Sequence, residues 1–397
     1  MSSHDHIITA VLGLVILWVV LRDAFETVVL PRRVTRHFQL TAWFYRRTWI
    51  PWRRIAEHIK TTSRQQNFLG YFGPLSLILL LGFWAAGLIL GFALIQHGIG
   101  GHEQLSNEPL TFGRILYHSG ETFFTLGYGD IVPTSGAARA LSVFEAGMGF
   151  AFLGVVIGYI PVVYSSFSRR EIQISMLDER AGSPPSAAEL LLRLAGRSEN
   201  PGMDQKVLDE VLRDWERWAS EVLESQISYP ALTFFRSQHS NQSWLAALTT
   251  MLDVTSLVLT GIEGVYPGQA KLTFAMARHA AVDLSQIVHA RYDPSVRDRL
   301  PEAEFEALRA ALAAAGLRLK DDETGREKLA KLRSMYEPYV HGMARNLMLP
   351  LPPWQHPEKI RDNWQAGPWD RLIQAKGLAV LGQKPGMPSA PAGEDHF

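Results

Sequence analysis

LTFGRILYHSGETFFTLGYGDIVP, residues 110–133, is too short and, in its second half, too polar to cross a lipid bilayer, yet it lies between two apolar runs, 75–95 and 141–164, that are long enough to do so. A helix rises about 1.5 Å per residue and the hydrocarbon core is about 30 Å thick, so roughly 20 apolar residues suffice for one crossing. Ser142, Glu145 and several glycines interrupt the second run; membrane helices accept small residues because they let neighbours approach closely. The segment between the runs therefore reads as re-entrant. A helix over 110–124 enters and stops midway, and extended chain over Thr125, Leu126, Gly127, Tyr128 and Gly129 runs back. Irregular backbone at membrane depth is tolerated only where it is buried in protein or lines a water-filled path.

The extended stretch has the chemistry for such a path. A dehydrated potassium ion needs its water oxygens replaced, and successive carbonyls can do this only if consecutive residues turn them toward one axis. Gly127 and Gly129 permit it, because glycine reaches backbone conformations forbidden to residues with a Cβ. The Thr125 hydroxyl can add one more ring of oxygens, while Leu126 and Tyr128 are expected to face away from the ions and pack against the pore helix.

The string Thr125-Leu126-Gly127-Tyr128-Gly129-Asp130 resembles the potassium-channel signature, written Thr, Val or Ile, Gly, Tyr or Phe, Gly, Asp, with Pro133 following it here. The likeness to the simple bacterial two-span channels runs without gaps from Glu121 to Gly149. It implies potassium coordination at Thr125, Leu126, Gly127 and Tyr128, and a proton shared between Glu121 and Asp130 that governs filter inactivation. It also implies a bend of the inner helix at Gly149, loosened further by Pro161, and an apolar cavity lined by Phe150, Leu153 and Ile157. Leu126 departs from the usual β-branched residue, which bears on the degree of selectivity. Glu145 is an unusual buried acid, expected to bond locally to the pore helix. One strand supplies only part of a carbonyl ring and the signature occurs once, so the resemblance implies a homotetramer.

A third apolar run, 7–21, continues through Arg22, Asp23 and Glu26 to Leu30 and stops at Pro31. Arg22 and Glu26 are spaced to pair near the interface. No Lys or Arg precedes the run and no small-residue cleavage site follows it, so an uncleaved span is expected rather than a signal peptide. The loop 31–73 holds nine Lys or Arg against one acid, Glu57, and short basic loops stay cytoplasmic. The amino terminus is then outside and the carboxy-terminal domain inside the plasma or inner membrane. Trp43, Phe44, Tyr45, Trp49 and Trp52 alternate with Arg46, Arg47, Arg53 and Arg54 in that loop. This pattern suits a helix in the headgroup layer, either a passive anchor or a site for anionic lipid at those arginines. Paired arginines in a polar run do not make a voltage sensor.

The chain has 397 residues, no cysteine, and 39 basic against 39 acidic side chains, which excludes thiolate chemistry and gives no bulk charge for nucleic acid. After Arg170 the pattern is amphipathic, with helices expected near 187–196, 203–226, 241–262, 269–291, 302–316 and 323–347. No glycine-rich nucleotide turn, nucleophile or cofactor motif stands out, so no enzyme activity and no cofactor beyond the permeant ion is expected. His279, His289 and His341 lack ligand spacing, and Trp215, Trp218 and Trp244 read as core.

The expected architecture is an all-α membrane protein, a tetrameric pore-loop pore joined to an α-helical soluble domain. Its parts are an amino-terminal transmembrane helix over 1–30, a basic interfacial segment over 31–73 and a pore domain over 74–168, with outer helix 74–97, pore helix 110–124, filter 125–130 and inner helix 138–165. A linker over 169–186, the helical domain over 187–381 and a disordered tail over 382–397 follow. Two rival readings are a weakly selective cation channel and a non-conducting membrane sensor with a vestigial pore.

Overall fold

The computed structural model describes residues 3–28, 30, 39–104, 111–196, 202–238, 241–292, 298–320 and 323–356; the expected tail over 382–397 and the end of the helical domain, 357–381, lie outside the described residues. The protein is an all-α membrane protein. Helices α1 (Ser3–Val28), α4 (Phe72–Ile99), α6 (Gly136–Ala181) and α9 (Trp244–Gly261) are long and apolar enough to cross a membrane. Between them lie α2 (Leu40–Glu57), α3 (Thr62–Gly70), α5 (Phe112–Phe123), α7 (Ala187–Ala195) and α8 (Gln205–Ser228), and after α9 come α10 (Gly268–Ile287), α11 (Glu302–Ala314), α12 (Glu323–Ser334) and α13 (Glu337–Leu347). A short antiparallel ribbon, β1 (His102–Gln104) with β2 (Ile131–Pro133), was not anticipated. The chain divides into two compact units, 1–60 with 64–166, and 61–63 with 167–397.

In the first unit α1 lies along α4 at glycine contacts. A Cβ on Gly13 would come within 2.5 Å of the Gly91 carbonyl oxygen, and one on Gly98 within 2.6 Å of the His6 carbonyl oxygen. Lipid tails are as apolar as leucine, so helices associate in a bilayer through close packing and hydrogen bonds. Asp23 supplies the latter. Its buried carboxylate accepts from the Thr41 amide at 3.1 Å, the Thr41 hydroxyl at 2.6 Å and the Trp84 indole at 3.0 Å, joining α1, α2 and α4. Arg22 pairs with Glu26 at 2.9 Å. The aromatic side of α2 packs inward, Trp49 on Phe72 with ring centroids 4.8 Å apart and Trp52 stacked on Phe68 at 4.5 Å, while Arg46, Arg47 and Arg54 stay exposed.

The expected linker over 169–186 is a helix as far as Ala181. Ile174, Leu177 and Ala181 recur at helical spacing and are buried in the second unit's core. Arg170, after which the amphipathic pattern begins, is buried there too. It donates to the carbonyls of Leu232 at 2.8 Å and Phe235 at 2.9 Å and pairs with Glu171 at 3.0 Å. The expected single helix over 323–347 is broken into α12 and α13, because Pro338 in the first turn of α13 has no amide to continue the ladder. The other tail helices fall within a few residues of expectation, and Ser186, Asp204 and Ser243 cap α7, α8 and α9.

Helix α9 is buried almost all round in the second unit, with Trp215, Trp218 and Trp244 also in that core. Its Asp253 carboxylate receives both guanidinium nitrogens of Arg299, at 3.1 and 2.6 Å, and the Tyr336 hydroxyl at 2.5 Å. Burial works against the Arg299 charge, but the bonds and charge of Asp253 outweigh it and hold the guanidinium above its ordinary value. Arg299 also donates to the Pro352 carbonyl at 2.8 Å, and its guanidinium lies over the Trp354 ring, as does that of Arg333. Asp253→Ala leaves a buried guanidinium without its counter-charge and is expected to destabilise this unit by about 3–5 kcal/mol. The check is thermal unfolding of the solubilised full chain followed by tryptophan fluorescence.

Candidate functional site

The re-entrant segment folds as α5 followed by irregular chain, and its backbone is held from behind. After α5 the Phe124 amide donates to Gly120 at 3.0 Å, Thr125 to Thr122 at 3.1 Å and Leu126 to the Glu121 carbonyl at 2.7 Å. Thr125, Gly127 and Gly129 then have φ of +57°, +62° and +77°, whereas Leu126 and Tyr128 do not have positive φ. This alternation sets the stretch apart from a β-strand. In a strand successive carbonyls point to opposite sides, and alternating the sign of φ turns consecutive peptide planes the same way. Glycine supplies two of the positive values at no steric penalty, and Thr125 carries the third against one.

Glu121 is buried and reaches this backbone. One carboxylate oxygen lies 3.3 Å from the Tyr128 amide and the other 3.1 Å from His118 Nδ1. The expected bond to Asp130 is not formed. Asp130 is exposed at the far end of this stretch, and the Glu121 carboxylate is directed instead to the imidazole and the amide. Glu145 bonds to the pore helix, as expected, through Ser119, and also to Gln96 of α4. Ser119 additionally donates to the Ile89 carbonyl at 2.8 Å, so three helices meet at this fully buried carboxyl.

The inner helix runs unbroken through Gly149 and Pro161. A Cβ on Gly149 would overlap the carbonyl oxygen of Phe123, the last residue of α5, so close packing alone accounts for glycine here. At Gly147, Gly154 and Gly158 a Cβ would meet nothing within 4 Å in the chain. Gly149, the residue expected to bend the helix, is thus also a close contact between α5 and α6. Leu126 and Tyr128 are 59% and 73% exposed rather than packed on their own pore helix, and Phe150 and Ile157, with Leu153 between them, are 74% and 66% exposed along one face of α6. No described residue covers either surface.

Beyond this stretch, β2 pairs with β1 so that His102 lies opposite Pro133, and the His102 ring sits 5.3 Å from that of His118. Burial, and next the neighbouring His118, lower the His102 pKa from its ordinary value. Sequence reasoning passed over His118, Ser119 and Gln96; the only sign of them was polar residues at positions that an apolar helix face would fill. Among the described residues no group of three or more His, Asp or Glu could hold a metal ion, and His279 pairs with Asp283 at 3.5 Å.

Residues 78–165 match the family model described as "Ion channel", and the matched stretch runs from α4 through the re-entrant segment into α6. The chain is 25% identical over 275 residues to the uncharacterized membrane protein YdjJ of Bacillus subtilis (strain 168), covering 68% of this chain and 74% of that protein. No solved structure matches. The protein carries an ion-channel domain of the pore-loop type in a multi-pass membrane chain.

Gly149→Ala is expected to drive α5 and α6 apart at Phe123 and destabilise the first unit by roughly 1–3 kcal/mol. Gly82→Ala, whose Cβ would meet nothing within 4 Å, is expected to leave stability unchanged or slightly raised. Melting temperatures of the two variants in detergent check the contrast.

Proposed function

We propose that the protein is a potassium-selective channel subunit that conducts passively through a homotetrameric pore. The observation that carries this reading is the alternation of backbone sign at Thr125, Gly127 and Gly129 in a segment whose six-residue string matches the potassium signature. Carbonyls turned to one side supply the oxygen ladder at Thr125, Leu126, Gly127 and Tyr128 that a dehydrated potassium ion requires.

The tetramer is supported by what one chain leaves uncovered. The filter has a single wall, and the exposed flanks of Leu126 and Tyr128 are apolar surfaces that a neighbouring copy would cover. Phe150, Leu153 and Ile157 would then face a shared axis as an apolar cavity, with the α6 segment from Gly149 to Pro161 as its gate. The basic α2 side of the membrane is cytoplasmic in this reading. Exposed Arg46, Arg47 and Arg54 meet anionic headgroups there, while Arg53 pairs with Glu57 at 2.9 Å.

Leu126 favours one competing reading, a cation channel with weak discrimination, because a γ-branched residue replaces the usual β-branched one beside the carbonyl ladder. The test is the reversal potential of purified protein in a planar bilayer with potassium on one side and sodium on the other. A value near the potassium equilibrium potential is expected, and a value near zero with clear current would select the weakly discriminating channel. Gly127→Ala is expected to abolish current while tetramers persist on size-exclusion chromatography, and undiminished current would remove the filter assignment.

A further inference from the structure

Resting on the conduction reading, we propose that His118 is a positioning residue for the filter: it aims the Glu121 carboxylate at the Tyr128 amide and makes filter stability depend on protons from the β1–β2 side of the pore. The chain of contacts is continuous. His118 Nδ1 lies 3.1 Å from one Glu121 oxygen, and the other Glu121 oxygen lies 3.3 Å from the Tyr128 nitrogen. His118 and Glu121 are both buried, which keeps water from the bond between them. A carboxylate bridging two donors is fixed in direction by both, and removing one lets it turn away from the other.

The far nitrogen of the ring is what couples this arrangement to protons. His118 Nε2 is buried and has no hydrogen-bond partner among the described residues. With Nδ1 donating to Glu121, Nε2 carries the lone pair, and it is the atom that a proton would join. The imidazolium so formed attracts Glu121 more strongly, at the expense of the weaker, longer bond to the Tyr128 amide. The charged and titratable groups around the ring set the conditions. Glu121 lies on the same helix and His102 approaches from β1. Asp130 follows the filter and, with Glu121, acts electrostatically on Tyr117. Glu145 of α6 is engaged by Ser119 and by Gln96 of α4, and His97 of α4 is turned to Phe112 at 5.5 Å. His102 is the only other imidazole against the ring among these contacts, and both of its ring nitrogens are buried.

The experiment compares wild type, His118→Gln and His118→Leu in planar bilayers, reading current decay at constant driving force while the pH on the β1–β2 side is varied. Wild-type decay is expected to quicken as that pH is lowered. His118→Gln keeps a donor to Glu121 without a titrating ring, so it should conduct with a decay rate flat in pH. His118→Leu should decay about tenfold faster at every pH, the effect of losing one hydrogen bond to a charged group. A pH dependence that survives in His118→Gln, or none in wild type, overturns the inference. A second measurement stands apart from current: hydrogen–deuterium exchange over 121–130 in nanodiscs should quicken in His118→Leu and not in His118→Gln. Unchanged exchange in both variants overturns the positioning role even if the channel conducts, whereas the expected exchange pattern without wild-type current overturns the conduction reading alone.

Discussion

Every backbone amide and carbonyl placed at membrane depth must find a partner, and residues 124–130 cannot find one in a helix. The structure around them answers that constraint. The last turn of α5 takes up the amides of Phe124, Thr125 and Leu126, and the Glu121 side chain takes up that of Tyr128. This leaves the amides held at the back of the stretch while φ alternates along it, an arrangement in which the carbonyls are free for another use. The supports of α5 follow from the same need. A pore helix that stops halfway has no long apolar face to hold it, so it is fastened by a buried carboxyl to both flanking helices and by contact with Gly149.

The parts legible in the sequence were those where chemistry leaves few choices. Glycine at alternate positions after a threonine, between two spanning runs, points to backbone with positive φ, and Thr125, Gly127 and Gly129 have it. Spans α1, α4 and α6 followed from length and hydropathy, and the tail helices from periodicity. What failed to show were choices among near-equivalent partners. Glu121 has two candidate neighbours, Asp130 along the chain and His118 one turn back on its helix, and sequence cannot say which one a carboxylate will meet. Gly149 illustrates the same limit, since a glycine needed for bending and one needed for contact look alike until the Phe123 carbonyl is seen beside it.

The expected linker failed for a different reason. Residues 169–186 are polar enough on one side to read as a connection, but Ile174, Leu177 and Ala181 form a helical stripe that the second unit buries. Arg170 in that stripe is stabilised by its pair with Glu171 and by two carbonyls aimed at it, that of Leu232 within the 3-10 turn Pro230–Phe234 and that of Phe235 just after it. A sequence shows the arginine and cannot show the carbonyls.

The second unit shows how a polar core becomes specific. Asp253 on the most apolar helix of the unit would destabilise it if left alone, since a buried carboxylate without partners costs several kcal/mol. Arg299 and Tyr336 both reach it, Arg299 also binds the Pro352 carbonyl, and Arg299 and Arg333 both lie over Trp354. The polar group therefore fixes where the 347–356 segment must run: an apolar residue at 253 would tolerate several placements of that segment, whereas a charged one is satisfied by a single arrangement. The same logic operates at Glu145 and Asp23 in the first unit, where one buried carboxyl apiece selects the helix neighbours that close packing alone would leave free to slide.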